Sequence, residues 1–232
     1  MKLIILPGWQ HSSTEWQAVQ KELRARSIDV TVLDLPGFGS EPYQPDLRTL
    51  DDIVTWCHEK LAVLTHGDQF VLCGHSYGGR VAAKLAVQNF PGLTTLVLVG
   101  SPNIYRPSLG TKFKTSLATI LRPVKHLIPE HVKRSLRSTD FQRVRGTQLE
   151  ELFQNIIRDD QTDVLRQITI TTTLLWGEHD DAAPLSLAKE MQHTLSNAEL
   201  DVILAAGHNV HIEKPALLAA KLANICQASS RT

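Results

Sequence analysis

Charge imbalance is the first thing this sequence lacks: 24 Lys and Arg stand against 24 Asp and Glu in 232 residues, a formal net charge of zero. No field of one sign draws the chain as a whole to nucleic acid, and none is expected as a partner. Cysteine is scarce and odd in number. Cys57, Cys73 and Cys226 are widely separated, and two of them fall in apolar helix or strand patterns. That predicts reduced, buried thiols in a cytoplasmic protein rather than a disulfide framework. Long apolar runs are missing too: Leu3 to Leu6 is only strand-length, with no basic segment leading into a longer one. Neither a signal sequence nor stable membrane insertion is expected. No G-x-G-x-x-G follows a strand and there is no P-loop, so no nucleotide, flavin or other cofactor is implied. With 42% hydrophobic residues, the chain can still bury a sizeable core without disulfides or metals.

The most informative stretch present is Gly74-His75-Ser76-Tyr77-Gly78. It lies where a buried strand (Phe70, Val71, Leu72, Cys73) gives way to a helical pattern beginning near Gly79. That context makes it a nucleophile elbow: two glycines allow a tight strand-to-helix turn that leaves Ser76 Oγ exposed above the sheet. A serine hydroxyl is a weak nucleophile, so it needs a histidine base, and the base needs a carboxylate to hold its tautomer. Both occur downstream, each after a strand pattern. Thr171 to Trp176 runs into Gly177-Glu178-His179-Asp180-Asp181-Ala182-Ala183-Pro184, and Leu200 to Leu204 leads to Ala205-Ala206-Gly207-His208-Asn209-Val210-His211-Ile212-Glu213-Lys214-Pro215. Asp180 is the expected acid and His208 the expected base.

With these residues in order, the chain resembles the α/β-hydrolase superfamily, which carries a nucleophile elbow, a Gly-x-x-Asp-x-x-x-Pro acid loop and a Gly-His loop ending in Glu-x-Pro. Asp34-Leu35-Pro36-Gly37-Phe38-Gly39-Ser40 is similar to a further turn of that superfamily. The resemblance implies a carboxylesterase-type serine hydrolase acting on a small or medium ester or thioester. C-C bond hydrolysis, peracid formation and a ligand-sensing receptor with little turnover remain the alternatives. It also implies an oxyanion hole made by the backbone N-H groups of Tyr77 and Trp9, with Gln10 as the alternative to Trp9. Here the sequence departs from the common His-Gly, having Leu6-Pro7-Gly8-Trp9-Gln10 instead.

Alternating patterns predict an α/β fold: a trimmed, mostly parallel sheet of about six strands with helices on both faces. Strands are expected near 2 to 6, 29 to 34, 69 to 74, 94 to 99, 171 to 176 and 199 to 204. A capping box at Ser12 to Glu15 is expected to start the first helix, and others should cover about 48 to 65, 79 to 89, 185 to 195 and 215 to 227. Residues 1–102 and 170–232 form the expected core. The chain opens on what corresponds to the superfamily's third strand, without the usual leading hairpin.

The alternation stops over 103–169, the superfamily's position for a helical lid. Phe113, Leu117, Ile120 and Leu121 share one helical face, and Leu149, Leu152, Phe153 and Ile156 another. Trp9, Tyr77, Phe113, Leu117, Phe153 and Val210 are the expected lining of the substrate pocket. The insert is also basic. Arg106, Lys112, Lys114, Arg122, Lys125, Lys133, Arg134, Arg137, Arg143 and Arg145 face only Glu130 and Asp140 between Asn103 and Thr147. A solvated helical face is one reading. An anionic substrate or an acidic acyl carrier protein docking there is the other, since the chain loosely resembles esterases that demethylate pimeloyl acyl carrier protein esters.

The remaining histidines are assigned supporting roles. His211, three residues beyond His208, is not expected to be the base, and His75 supports the elbow. His179 and His11 are surface or supporting groups, and no sequence spacing suggests a metal site.

Overall fold

The computed structural model describes residues 1–106 and 146–230. Expectations that fall on Phe113, Leu117, Ile120 and Leu121, and on all but Arg106 of the ten basic residues between Asn103 and Thr147, lie outside these.

Six strands form one sheet: β1 (Lys2–Leu6), β2 (Asp29–Val32), β3 (Phe70–His75), β4 (Leu93–Val99), β5 (Thr171–Gly177) and β6 (Ala198–Ile203). Their order is β2-β1-β3-β4-β5-β6, and all five pairings are parallel. Between them run α1 (Gln17–Ala25), α2 (Leu50–Thr65), α3 (Tyr77–Ala86), α4 (Glu150–Arg158), α5 (Thr162–Gln167), α6 (Leu185–Thr194), α7 (Val210–Glu213) and α8 (Pro215–Ser229).

The period of two along each strand divides the core into two layers. Ile4, Leu6, Phe70, Leu72, Leu96 and Leu98 pack with α2, α3 and α6, whereas Leu3, Ile5, Val71, Cys73, Val97 and Val99 pack with α1 and α8. Both faces are covered, so the strands read as continuous apolar runs. Cys57, Cys73 and Cys226 are buried within these layers and unbridged. Burial pushes the first two thiols well up and Cys226 up to about 11. Among the described residues no helix is long and apolar enough to cross a membrane.

Strand order reverses at β1, which pairs with β2 on one side and β3 on the other. The loops leaving β1 and β3 therefore part to opposite faces and open a crevice at the carboxyl edge of the sheet, where ligands bind in such folds.

Local chemistry explains where elements start. Ser12 donates its amide and hydroxyl to Glu15 Oε2 at 2.8 and 2.9 Å, but this box closes a turn ahead of the helix. The helix begins only at Gln17. The delay follows from Ser13, whose amide and hydroxyl are held by Asp34 at 2.6 and 3.2 Å. A reciprocal capping box does start α2, between Thr49 and Asp52.

Asp34 also accepts the Ser40 amide and hydroxyl at 2.8 and 2.9 Å, so one buried carboxylate ties three loop segments together. Burial alone would raise its pKa, but donation by Ser40 and Ser13 outweighs it and the value falls below the ordinary range. Asp34→Ala strands these donors and should lower unfolding free energy by about 1.5–3 kcal/mol at neutral pH. A depressed carboxylate contributes stability above its unfolded value, about 3.9, and loses it as pH falls through the folded value. The gap between wild type and Asp34→Ala should therefore narrow below about pH 4 in urea melts. A gap that widened on acidification would contradict this role.

Candidate active site

Ser76 stands between β3 and α3 with φ 49° and ψ −113°, a conformation that costs a non-glycine residue about 1–3 kcal/mol. The turn is held from both sides. Ser76 N-H donates to Val99 O at 2.9 Å, and Ser101 Oγ donates to Ser76 O at 2.9 Å. A Cβ at Gly78 would stand 2.5 Å from Pro7 O, and one at Gly74 2.5 Å from Gly78 O, so neither position admits a side chain. The elbow is thus a consequence of β1 and α3 packing without intervening atoms.

Asp180 follows β5 and His208 follows β6, on neighbouring loops. The Asp180 side chain is fully buried, and its Oδ1 accepts the Ala182 and Ala183 amides at 3.0 and 2.7 Å. His208 Nδ1 lies 2.9 Å from Asp180 Oδ2, and its Nε2 lies 3.0 Å from Ser76 Oγ. A carboxylate only accepts, so Nδ1 carries the hydrogen and the neutral ring presents its bare Nε2 to the serine. Glu213 holds this loop by accepting the Gly207 amide at 2.6 Å, which accounts for the Glu-x-Pro ending. The structure thus brings Ser76, Asp180 and His208 together from three separate loops.

Three histidines are placed elsewhere. His211 is fully buried against Trp16, and among the described residues neither of its ring nitrogens has a hydrogen-bond partner. Burial lowers its pKa to about 3. His75 Nε2 donates to His208 O at 3.0 Å, tying the elbow to the histidine loop, and burial, then His211, holds its pKa well below the usual histidine range. His179 is exposed beside Glu178.

A cleft of about 830 Å³ opens beside Ser76 Oγ, lined by Trp9, Tyr77, Ile104, Phe153, Ile156 and His208 among others. Trp9 is the hub of an aromatic wall, with ring centroids 4.9 Å from Phe38, 5.4 Å from Tyr77 and 5.0 Å from Phe153. Neither the Trp9 nor the Tyr77 amide donates a backbone hydrogen bond among the described residues. Gln10 takes a left-handed φ of 58°, which sets the loop beyond Trp9. Val210, expected in the pocket, instead lies 1% exposed in the core layer with α8, because the short helix α7 turns it inward.

Several contributors escaped the sequence reading. Gly100, just past β4 with φ 51°, lies against Asp180 and His208: a Cβ there would stand 3.0 Å from Asp180 Oδ2 and 3.3 Å from His208 Nδ1. Gly100→Ala should cut kcat by at least about tenfold, since a displacement near 1 Å in such a pair costs up to about a hundredfold. Steady-state kinetics beside a thermal melt would check this, and undiminished kcat would remove Gly100 from the site. Asn103 and Gln161, both fully buried, join the two ends of the insert at 2.7 Å. They also bond Gly79 O and Arg80 O of α3, at 3.3 and 3.1 Å. Isolated Asn and Gln in loops carry no sequence signal of such a clasp.

A parallel sheet with a serine at a strained strand-to-helix turn after β3, and with Asp and His on the loops after β5 and β6, defines a hydrolase of the α/β type. The chain belongs to the Alpha/beta hydrolase family, whose profile matches residues 3–221. It is 26% identical to the uncharacterized hydrolase YugF of Bacillus subtilis over 96% of this chain and 88% of that one. It is 25% identical to a pimeloyl-[acyl-carrier protein] methyl ester esterase of Aeromonas salmonicida, over 91% and 86%. Among solved structures, a thermophilic esterase from Thermogutta terrifontis superposes with a TM-score of 0.75 at 20% identity, covering 99% of this chain and 90% of that one.

Proposed function

We propose that the protein is a serine esterase cleaving small or medium carboxylic esters or thioesters through an acyl-enzyme. The observation that carries this reading is the continuous chain from Asp180 through His208 to Ser76 Oγ, with links of 2.9 and 3.0 Å, opening on an apolar aromatic cleft. Ser76 Oγ attacks the carbonyl carbon while His208 Nε2 takes its proton. The Trp9 and Tyr77 amides hold the oxyanion. The imidazolium, stabilised by Asp180, returns the proton to the departing alcohol or thiol, leaving the acyl group on Ser76. Water, deprotonated by His208, then attacks the acyl carbon, and Ser76 leaves with that proton. The 103–169 stretch acts as the lid, with Ile104, Phe153 and Ile156 among the side chains it brings to the cleft.

Incubation with a fluorophosphonate probe should label one serine per chain, Ser76, and p-nitrophenyl esters of increasing chain length should turn over. Labelling without turnover of any ester would overturn the esterase reading in favour of a ligand-sensing protein.

A second reading is that the acyl ester arrives on an acidic carrier protein. It is favoured by the ten basic residues between Asn103 and Thr147 and by relatives named pimeloyl-[acyl-carrier protein] methyl ester esterase. Arg106, the one described member, is already paired with Glu190 and Asp160. Arg143→Glu with Arg145→Glu should lower kcat/KM on a carrier-bound ester and spare a neutral short-chain ester, and added salt should mimic it. Equal kcat/KM before and after reversal would leave those charges as a solvated face.

A further inference from the structure

The face of the sheet opposite the cleft holds a second cluster of imidazoles. His75 continues the Val71 and Cys73 parity, so its ring enters the layer beneath α1, where it meets His211 and His11. Ring centroids lie 4.6 Å apart for His75 and His211, 5.0 Å for His11 and His211, and 5.8 Å for His11 and His75. One ring nitrogen from each residue lies within 4.8 Å of the other two. His75 and His211 are 1% and 0% exposed, and His211 stacks on Trp16 at 4.5 Å.

The hydrogen bonding of this cluster is one-sided. His75 Nε2 bonds a carbonyl, which only accepts, so it carries the hydrogen and Nδ1 is a bare lone pair. Among the described residues that Nδ1 and both nitrogens of His211 have no hydrogen-bond partner. Buried imidazole nitrogens left in this state lose water and gain nothing in return. A histidine that offers one nitrogen inward while donating the other N-H to a backbone carbonyl has the arrangement of a metal-ligating imidazole. Gly8 leaves room beside it: a Cβ there would stand 2.7 Å from His75 Nδ1. Glu15, fixed by Ser12, lies within electrostatic reach of His11 and His211 and supplies a counter-charge.

We propose that His11, His75 and His211 form a binding site for a divalent transition-metal ion of zinc type. Three neutral imidazoles suit zinc, copper and nickel rather than magnesium or calcium, which take oxygen ligands. A tetrahedral ion with Zn–N bonds of about 2.0–2.1 Å sets its nitrogens about 3.3 Å apart, so the rings draw inward on loading. His75 connects the site to the hydrolytic centre, since its other nitrogen bonds the His208 carbonyl.

The test is a titration of the chelator-stripped full chain with ZnCl2, and with CoCl2 for its visible bands. One equivalent should bind per chain, and ZnCl2 should raise the thermal midpoint. His211→Phe keeps an aromatic ring on Trp16, and His11→Gln alters a half-exposed loop residue; each should weaken binding by at least the roughly hundredfold seen for loss of an outer-shell partner. His208→Ala should bind as wild type does. If His211→Phe does not fold in chelator, His11→Gln decides. No stoichiometric binding by wild type, or unchanged affinity in the histidine variants, overturns the site. So does loss in His208→Ala with retention in His211→Phe, which would put the ion on the Ser76 centre. Failure of the esterase assay would not touch these outcomes, since binding is read without turnover.

Discussion

Ser76→Ala should lower kcat by roughly 10⁴ to 10⁶ while leaving the thermal midpoint unchanged or slightly raised. The magnitude follows from the mechanism proposed above, in which His208 Nε2 has nothing to deprotonate once Oγ is gone and no acyl-enzyme forms. What survives is the binding of the ester and the polarisation of its carbonyl, worth about 10³ to 10⁴ over water in such centres. The unchanged midpoint follows from the backbone. Ser76 is strained by its φ of 49°, and among the described residues its hydroxyl bonds only His208 Nε2. Activity within tenfold of wild type, measured on the best p-nitrophenyl ester with the fluorophosphonate label absent, would remove Ser76 from the mechanism.

Asp180→Asn should cost about 10⁴ in kcat, although the substitution changes the side chain very little. The carboxylate accepts the Ala182 and Ala183 amides and the His208 Nδ1 hydrogen together. With the two amides still claiming the Asn oxygen, the Asn NH2 turns toward Nδ1. That donor favours the opposite tautomer, which puts a hydrogen on Nε2 and points it at Ser76 Oγ, so the base can no longer accept. Asp181→Asn, one residue on and exposed, should keep activity within tenfold. Equal losses in the two variants would leave the acid unassigned.

Six strands were legible because each is a short apolar run bounded by turn residues, and the parallel sheet followed from their alternation with helices. Boundaries moved by up to four residues, most at the first helix, which begins at Gln17 rather than directly after Ser12. The helix after Ser76 begins at Tyr77 rather than near Gly79, since the serine's own backbone conformation ends the strand and its carbonyl accepts the Gly79 and Arg80 amides at once. Ser76, Asp180 and His208 were legible because a loop after a strand is a fixed address in a parallel sheet: once the order of strands is given, the ends of β3, β5 and β6 share one edge.

The sequence by itself determined this sheet, the three residues on its carboxyl edge and the chain's place in the α/β-hydrolase superfamily. These rest on local rules: a period of two along strands, glycine where backbone meets backbone, and motifs carried on single loops. Only the tertiary structure decided the rest. Val210 went into the core because one turn of helix reversed its direction, and Gly100 became part of the site because β4 ends beneath two loops from elsewhere. His11, His75 and His211 have no spacing that marks them as a set. They meet because β1, β3 and β6 deliver their loops to one side of the sheet, and such a meeting between distant segments leaves no pattern in the order of residues.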